Sequence, residues 1–253
     1  QVIEQGPKFN IYRAPTDNDV FFALEWQKFG YDRMQMRTEP IKVTHKNNKV
    51  TISVNTRVAA PNREDGILVD YKYLINSDGS FTLQIDGKPL SNEMPHFPRL
   101  GVQLLLPDCL ENVEWFGLGP GEAYSDTCTA QKVGLYKCGL NSLYTPYTYP
   151  QENGNRHQVR RVALYDLHSA GLFVAGNPLI DFSAHRYTAK DFAEAQHPYE
   201  LIEQDNVVLN LDWKQCGIGS GSCGPLTAEK YRIAAKPFQF SMRFKALTPG
   251  DLN

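Results

Sequence analysis

Stretch after stretch of this chain repeats its apolar residues with a period of two. Val50, Ile52, Val54 and Val58 fall on one face, with Thr51, Ser53, Asn55 and Arg57 on the other. The pattern returns at Ile67, Val69, Tyr71, Tyr73 and Ile75, at Phe81, Leu83 and Ile85, at Val207, Leu209, Leu211 and Trp213, and at Phe238, Phe240, Met242 and Phe244. A helix cannot use this period, because its faces recur every 3.6 residues, whereas a strand sends alternate side chains to opposite faces. Turn pairs such as Asn47-Asn48 and Asp78-Gly79 separate the early runs, as an antiparallel meander requires. Each strand buries one face, so several sheets, or one strongly curved sheet, must stack their apolar sides together.

Further strands are expected at Val102 to Leu106, Val159 to Tyr165, Leu172 to Ala175 and Leu179 to Ser183. Helix signals are few. Phe22, Trp26 and Phe29 recur at helical spacing between Val20 and Tyr31, with Asp17 or Asp19 as the N-cap, and a short helix is expected near Thr188 to Ala195. Two acids two residues apart can suggest a cation site, but capping and a bond to Arg13 account for them more simply. The 253 residues, 42% of them hydrophobic, are enough for one large all-β domain with a few short helices over 1–253.

The charge balance excludes some functions. With 26 basic and 28 acidic side chains the net charge is -2, so no broad electropositive surface draws the chain to nucleic acid or anionic lipid. No apolar run approaches a membrane span and no signal peptide is evident. A first residue of Gln1 rather than methionine suggests a piece of something longer, or a processed chain. Cys109, Cys128, Cys138, Cys216 and Cys223 are widely spread and complete no zinc signature, so they read as reduced thiols of a cytoplasmic protein, with no metal.

Gly117, Gly119 and Gly121 are no phosphate cradle, because Pro120 and a β-rich neighbourhood deny the helix that a dinucleotide fingerprint needs. A close turn under Trp115 explains them better. Ser222 lacks a nucleophile-elbow context, no carboxylate pair sits in an evident catalytic frame, and His96 is a lone histidine with no assigned role. No self-sufficient catalytic set emerges.

Two loops are elaborate. Tyr144 to Arg160 concentrates Tyr144, Tyr147, Tyr149, Glu152, Asn153 and Arg156, which need partners. Either it is a structural corner, with the charges pinning it and the rings packed beneath, or it faces a sugar, since tyrosine faces and planar amides suit polyhydroxylated ligands. Gly217 to Pro225 carries four glycines, which let the backbone fold tightly or approach a ligand closely.

Five ordered motifs then point to one family. Arg-Ala-Pro-Thr-Asp-Asn-Asp at 13–19, Trp-Phe-Gly-Leu-Gly-Pro-Gly-Glu-Ala-Tyr-Ser-Asp at 115–126, Tyr-Thr-Pro-Tyr at 144–147, Pro-Gln-Glu-Asn-Gly-Asn-Arg at 150–156 and Gly-Ile-Gly-Ser-Gly-Ser-Cys-Gly-Pro at 217–225 resemble the C-terminal domain of the large β-galactosidases of glycoside hydrolase family 2, sometimes a separate small subunit. The resemblance runs from about Phe9 to Ala246. It implies a galactose-mutarotase-like antiparallel β-supersandwich, and an enzyme that hydrolyses terminal β-galactosides with retention, using one glutamate as acid/base and another as nucleophile. Both glutamates and the Mg2+ ligands would lie on a TIM-barrel domain absent here. The parent enzyme would also use a monovalent cation and form a homo-oligomer, with this domain binding no cofactor. In well-known members a tryptophan of the loop corresponding to 217–225 stacks on the aglycone sugar. This chain has none, and Cys223 falls nearest that position, so the resemblance implies a changed aglycone contact by Ser220, Ser222 and Cys223. Burial of Cys223 beneath the loop is the alternative.

A rival reading, motivated by the same architecture, is a free-standing carbohydrate-binding or aldose-epimerase-like protein. An epimerase needs a positioned acid/base pair, for which the sequence offers no matched motif.

Overall fold

The computed structural model describes residues 1–46 and 49–251. The expected Asn47-Asn48 turn lies outside the described residues. In chain order the elements are β1 (Gln5–Asn10), α1 (Val20–Phe29), β2 (Gln35–Thr38), β3 (Lys42–Lys46), β4 (Lys49–Ala59), β5 (Ile67–Ile75), β6 (Phe81–Pro89), β7 (Arg99–Pro107) and β8 (Asn112–Gly119). They continue with β9 (Lys132–Gly139), β10 (Arg156–Tyr165), β11 (Gly171–His185), α2 (Ala189–Glu194), β12 (Asn206–Gln215) and β13 (Phe238–Leu247), joined by short 3-10 turns.

Hydrogen bonding runs β1-β7-β12-β11-β13-β6-β5-β4-β2, with β3 on β4, and β10 joining β11 to β8, which carries β9. Every registered pair is antiparallel. The fold is therefore the antiparallel all-β assembly expected from the alternation. In β5, Ile67, Val69 and Tyr71 are buried while Leu68, Asp70 and Lys72 are exposed, as a sheet with one wet face requires. The inward faces merge into one core, in which Phe9 stacks on Phe238 with centroids 5.7 Å apart and Phe81 on Phe244 at 4.7 Å.

Three expectations are corrected. The first helix ends at Phe29 rather than Tyr31, because Gly30 takes the left-handed conformation at its C-terminus and its N–H closes on Gln27 O. It buries Phe22 and Trp26, and Trp26 Nε1 donates to His96 O at 3.0 Å. The expected strands Leu172 to Ala175 and Leu179 to Ser183 are one strand, β11. Gly176-Asn177-Pro178 reads as a break, yet here it marks an exchange of partners: Gly171 to Asn177 pairs with β13, and Asp181 to His185 with β12. Finally, Arg156 to Arg160 belongs to β10 and not to the preceding loop.

The alternation also misleads in one respect. In β12 all residues from Val207 to Asp212 are buried, so the polar face of this strand is covered too. The same holds for Ile180 to His185 in β11. The cover is the irregular chain at 10–19 and 144–156, whose own polar groups bond to the strand residues beneath.

Candidate functional site

The motif segments of the sequence converge on this covered corner. Arg13, wholly buried, donates through Nε and Nη2 to the Asp19 carboxylate at 2.9 to 3.2 Å and through Nη1 and Nη2 to Cys216 O and Gly217 O at 2.8 and 3.1 Å. Asp19 thus binds Arg13 as expected. It does not cap α1 with its side chain, but accepts from Thr16 N at 3.0 Å. One arginine therefore ties the 13–19 turn to the root of the 217–225 loop.

A second buried arginine ties the 150–156 segment to the sheet. Arg99 at the start of β7 donates to Asp212 Oδ2 at 3.2 Å, Gln215 Oε1 at 3.0 Å and Glu152 Oε1 at 3.4 Å, and Gln215 Nε2 donates to Glu152 at 2.8 Å. A guanidinium presents five donors in a fixed fork, and two carboxylates and an amide oxygen occupy several of them here. One positive charge faces two buried carboxylates. Burial, with Glu152 and Asp181 nearby, pushes the Asp212 carboxyl up to about 7 despite Arg99.

All seven residues from Pro150 to Arg156 are buried. Gly154 N donates to Glu122 Oε2 at 2.7 Å, Asn155 Nδ2 to Ala123 O at 2.7 Å, and Tyr147 Oη bonds to Glu122. Gly154 has φ +73°, and a Cβ there would stand 2.6 Å from Leu143 O, so only glycine fits. Arg156 lies over the Trp115 ring at 5.3 Å, and Trp115 Nε1 donates to Leu118 O at 2.9 Å, closing the expected turn beneath it. These contacts are those of the structural corner. Tyr149, which was expected to pack beneath the loop, is instead exposed.

The 217–225 loop is anchored at its base and open at its tip. Asp126 accepts from Ile218 N and Gly219 N at 3.1 and 2.7 Å. Asn18 donates to Gly219 O at 2.8 Å, while its Oδ1 accepts from Ser222 N at 3.1 Å and Ser222 Oγ at 2.7 Å. Gly219 adopts φ +58°, where a Cβ would stand 2.4 Å from Thr227 Oγ1. Beyond these anchors Ser220, Ser222 and Cys223 are all exposed on one turn, so Cys223 is not buried beneath the loop. Gly217 is buried and Gly224 exposed, so the chain passes from packed root to solvent within this motif.

Arg99, Asp126, Asp212 and Gln215 were not singled out by the sequence reading. Asp212 lies within β12 and Gln215 is its last residue, and polar residues at alternate or terminal strand positions signal solvent by default. A signal existed only in the excess of charge within the buried motifs, which demands partners elsewhere.

Other ionisable groups have ordinary structural surroundings. His157 Nδ1 lies 2.7 Å from Asp181 Oδ1; burial opposes its charge, but Asp181 and then Asp126 leave its pKa raised. His96 packs edge-on against Phe22 at 4.5 Å, and burial pulls it down to about 4. All five cysteines are free thiols. Among the described residues no group of three or more His, Cys, Asp or Glu side chains is placed to hold a metal ion, and no helix is long and apolar enough to cross a membrane. Such a carboxylate or imidazole cluster for the Mg2+ implied for a parent enzyme is thus not found among the described residues.

Comparison with known proteins supplies the family. The family model described as beta galactosidase small chain matches residues 1–244. A β-galactosidase of Actinobacillus pleuropneumoniae is 35% identical over 244 residues, which are 96% of this chain and 23% of that protein. One from Arthrobacter sp. (strain B7) is 33% identical over 269 residues, 95% of this chain and 26% of that protein. The chain thus spans about a quarter of the length of these relatives. Among solved structures, a putative aldose 1-epimerase from Escherichia coli K12 superposes with a TM-score of 0.41 and 9% identity, over 82% of this chain and 68% of that one, too loosely to bear on chemistry. With the family model matched over nearly its whole length, the chain belongs to the β-galactosidase small chain family.

Proposed function

We propose that this chain is the completing, non-catalytic piece of a β-galactosidase that hydrolyses terminal β-D-galactosides with retention. Its task is to present the turn of Ser220, Ser222 and Cys223 as a wall of the subsite for the leaving sugar. The catalytic glutamates and the metal sites belong to the part of the relatives' length that this chain does not span. The observation that carries this reading is the contrast within one loop: a root fixed by Arg13, Asp126 and Asn18, and a tip at which Ser220, Ser222 and Cys223 are exposed.

Such a tip suits an auxiliary contact. The Ser220 and Ser222 hydroxyls donate to Pro225 O and Asn18 Oδ1 and so offer their oxygens as acceptors to sugar hydroxyls, and a thiol adds a small polarizable contact without a stacking face. A pre-formed turn loses little entropy on meeting its ligand. The exposed apolar residues Val20, Phe21 and Leu24 on α1 suit contact with the remaining domains or a large subunit.

Hydrolysis of a chromogenic β-galactoside tests the proposal. The chain alone gives none, and mixing it with a fragment that carries the rest of a matching β-galactosidase restores turnover. Hydrolysis by the chain alone would place a catalytic pair within these residues and refute the reading.

A further inference from the structure

A cavity built from residues other than the 217–225 turn carries chemistry that the proposed function leaves unused. It has a volume of about 220 Å³ and is lined by Asn141, Tyr144, His185, Arg186, Tyr187 and Glu203. The centroids of Tyr144 and Tyr187 are 6.1 Å apart with their planes inclined at 56°, and Phe192 packs against both, at 6.3 and 5.5 Å. The two tyrosines are half-buried, and Phe192, itself buried, braces them.

Donors and acceptors flank these rings. His185 is only 6% exposed, and its Nε2 lies 3.0 Å from Asn153 O. That carbonyl can only accept, so Nε2 carries the proton; burial pulls the His185 pKa down and keeps the ring neutral, leaving Nδ1 as an acceptor without a hydrogen-bond partner. Arg186 Nη2 is held by Glu111 at 2.6 Å and by Asp108 O at 3.1 Å, which fixes the guanidinium while its Nη1 remains a free donor. Asn141 and Glu203 are exposed at the rim, and Tyr187 Oη reaches Glu203 at 3.5 Å.

We infer that this cavity binds a single neutral pyranose ring. Tyrosine faces cover the C–H side of a sugar, and interleaved amide, carboxylate, imidazole and guanidinium groups meet its vicinal hydroxyls, each of which both donates and accepts. The arginine charge is balanced by Glu111, and Glu203 adds a carboxylate to the lining, so the site does not select an anion. The cavity is smaller than pockets for drug-sized ligands, about 300–1,000 Å³, which limits it to one ring. The inference takes up, at Tyr144 alone, the reading in which the 144–160 loop faces a sugar, away from the 217–225 turn and independently of the function proposed for that turn.

Saturation-transfer NMR with methyl β-D-glucopyranoside on the full-length protein tests the inference. Transfer to the ring protons is expected with a dissociation constant on the order of 1 mM, at least tenfold weaker in Tyr187→Ala and weaker in Glu203→Gln. Glu203 is exposed, so Glu203→Gln is expected to keep the native unfolding midpoint, and a loss of transfer at that midpoint is a loss of binding. No transfer to the unsubstituted protein, or transfer that survives both Tyr187→Ala and Glu203→Gln, would overturn the site. Transfer abolished by Cys223→Ala would place the sugar at the 217–225 turn instead, overturning this inference while favouring the proposed function.

Discussion

The segments 150–156 and 217–225 look alike as sequence, being short, polar and glycine-bearing, and they lie against the same corner of the sheet. They differ in what their side chains require. Glu152 and Arg156 carry charge, and the first can be buried only because Arg99 and Gln215 meet it. The second loop carries only hydroxyls, a thiol and glycines at its tip, none of which demands a buried partner, and the tip stays in solvent. Charge that finds a complement elsewhere in the chain turns a loop into cover for a sheet; small neutral groups leave it free to present. The first segment builds the platform and the second uses it.

The largest test of that division is Arg99→Ala. It leaves Glu152 and Asp212 buried without their common cation, and breaking a buried ion pair in this way costs about 3–5 kcal/mol. Denaturant unfolding is expected to show a correspondingly lower midpoint. A loss comparable to that of a surface substitution would mean that the platform is not held by these charges.

Asp212→Asn probes the same platform through pH. The Asp212 carboxyl binds its proton more tightly in the fold, at about 7, than its ordinary value of 3.8. Its stabilising contribution is therefore complete below the ordinary value and lost as pH rises through about 7. Asparagine keeps an acceptor for Arg99 and has no proton to lose, so the variant should show a flatter stability profile over this window and be the more stable form above it. An unchanged profile would mean that another group carries the proton.

Asn18→Ala acts between the two regions. It removes the acceptor of Ser222 N and Oγ and the donor to Gly219 O. With these groups partly open to solvent, the cost is about 1 kcal/mol, accompanied by faster hydrogen exchange confined to the 217–225 turn. Spread of the exchange to 150–156 would show that the segments are one unit rather than platform and tip.

The smallest effect belongs to the tip. Cys223→Ala should change stability by less than about 0.5 kcal/mol, and Ser220→Ala and Ser222→Ala by little more, since each removes one exposed bond, to Pro225 O and to Asn18 Oδ1.

The sequence was legible where one rule governs. Period-two runs placed β4, β5, β6, β12 and β13, because a strand with one apolar face has no other way to write itself. It was misleading where tertiary cover intervenes. Asp212 and Asn210 look solvent-facing in an alternating strand, yet they are buried under chain that arrives from residues 10–19 and 144–156. The continuity of β11 was hidden for a related reason. Pro178 lacks an amide donor and suggests a break, and only the arrangement of β12 and β13 shows that the strand changes partners there. At the candidate site, the resemblance located the turn and named Ser220, Ser222 and Cys223. Its anchors Asp126 and Asn18 depend on contacts between positions about 90 and 200 residues apart, for which local pattern holds no information.

Cys223→Trp in the complete β-galactosidase tests the central claim most directly. The substitution adds a stacking face to an exposed tip whose root is fixed, so aglycone preference and the ratio of transfer to hydrolysis should shift several-fold while the unfolding midpoint stays unchanged. Unaltered preference and ratio in a folded, active variant would contradict the account, because the turn would then not be a wall of the aglycone subsite.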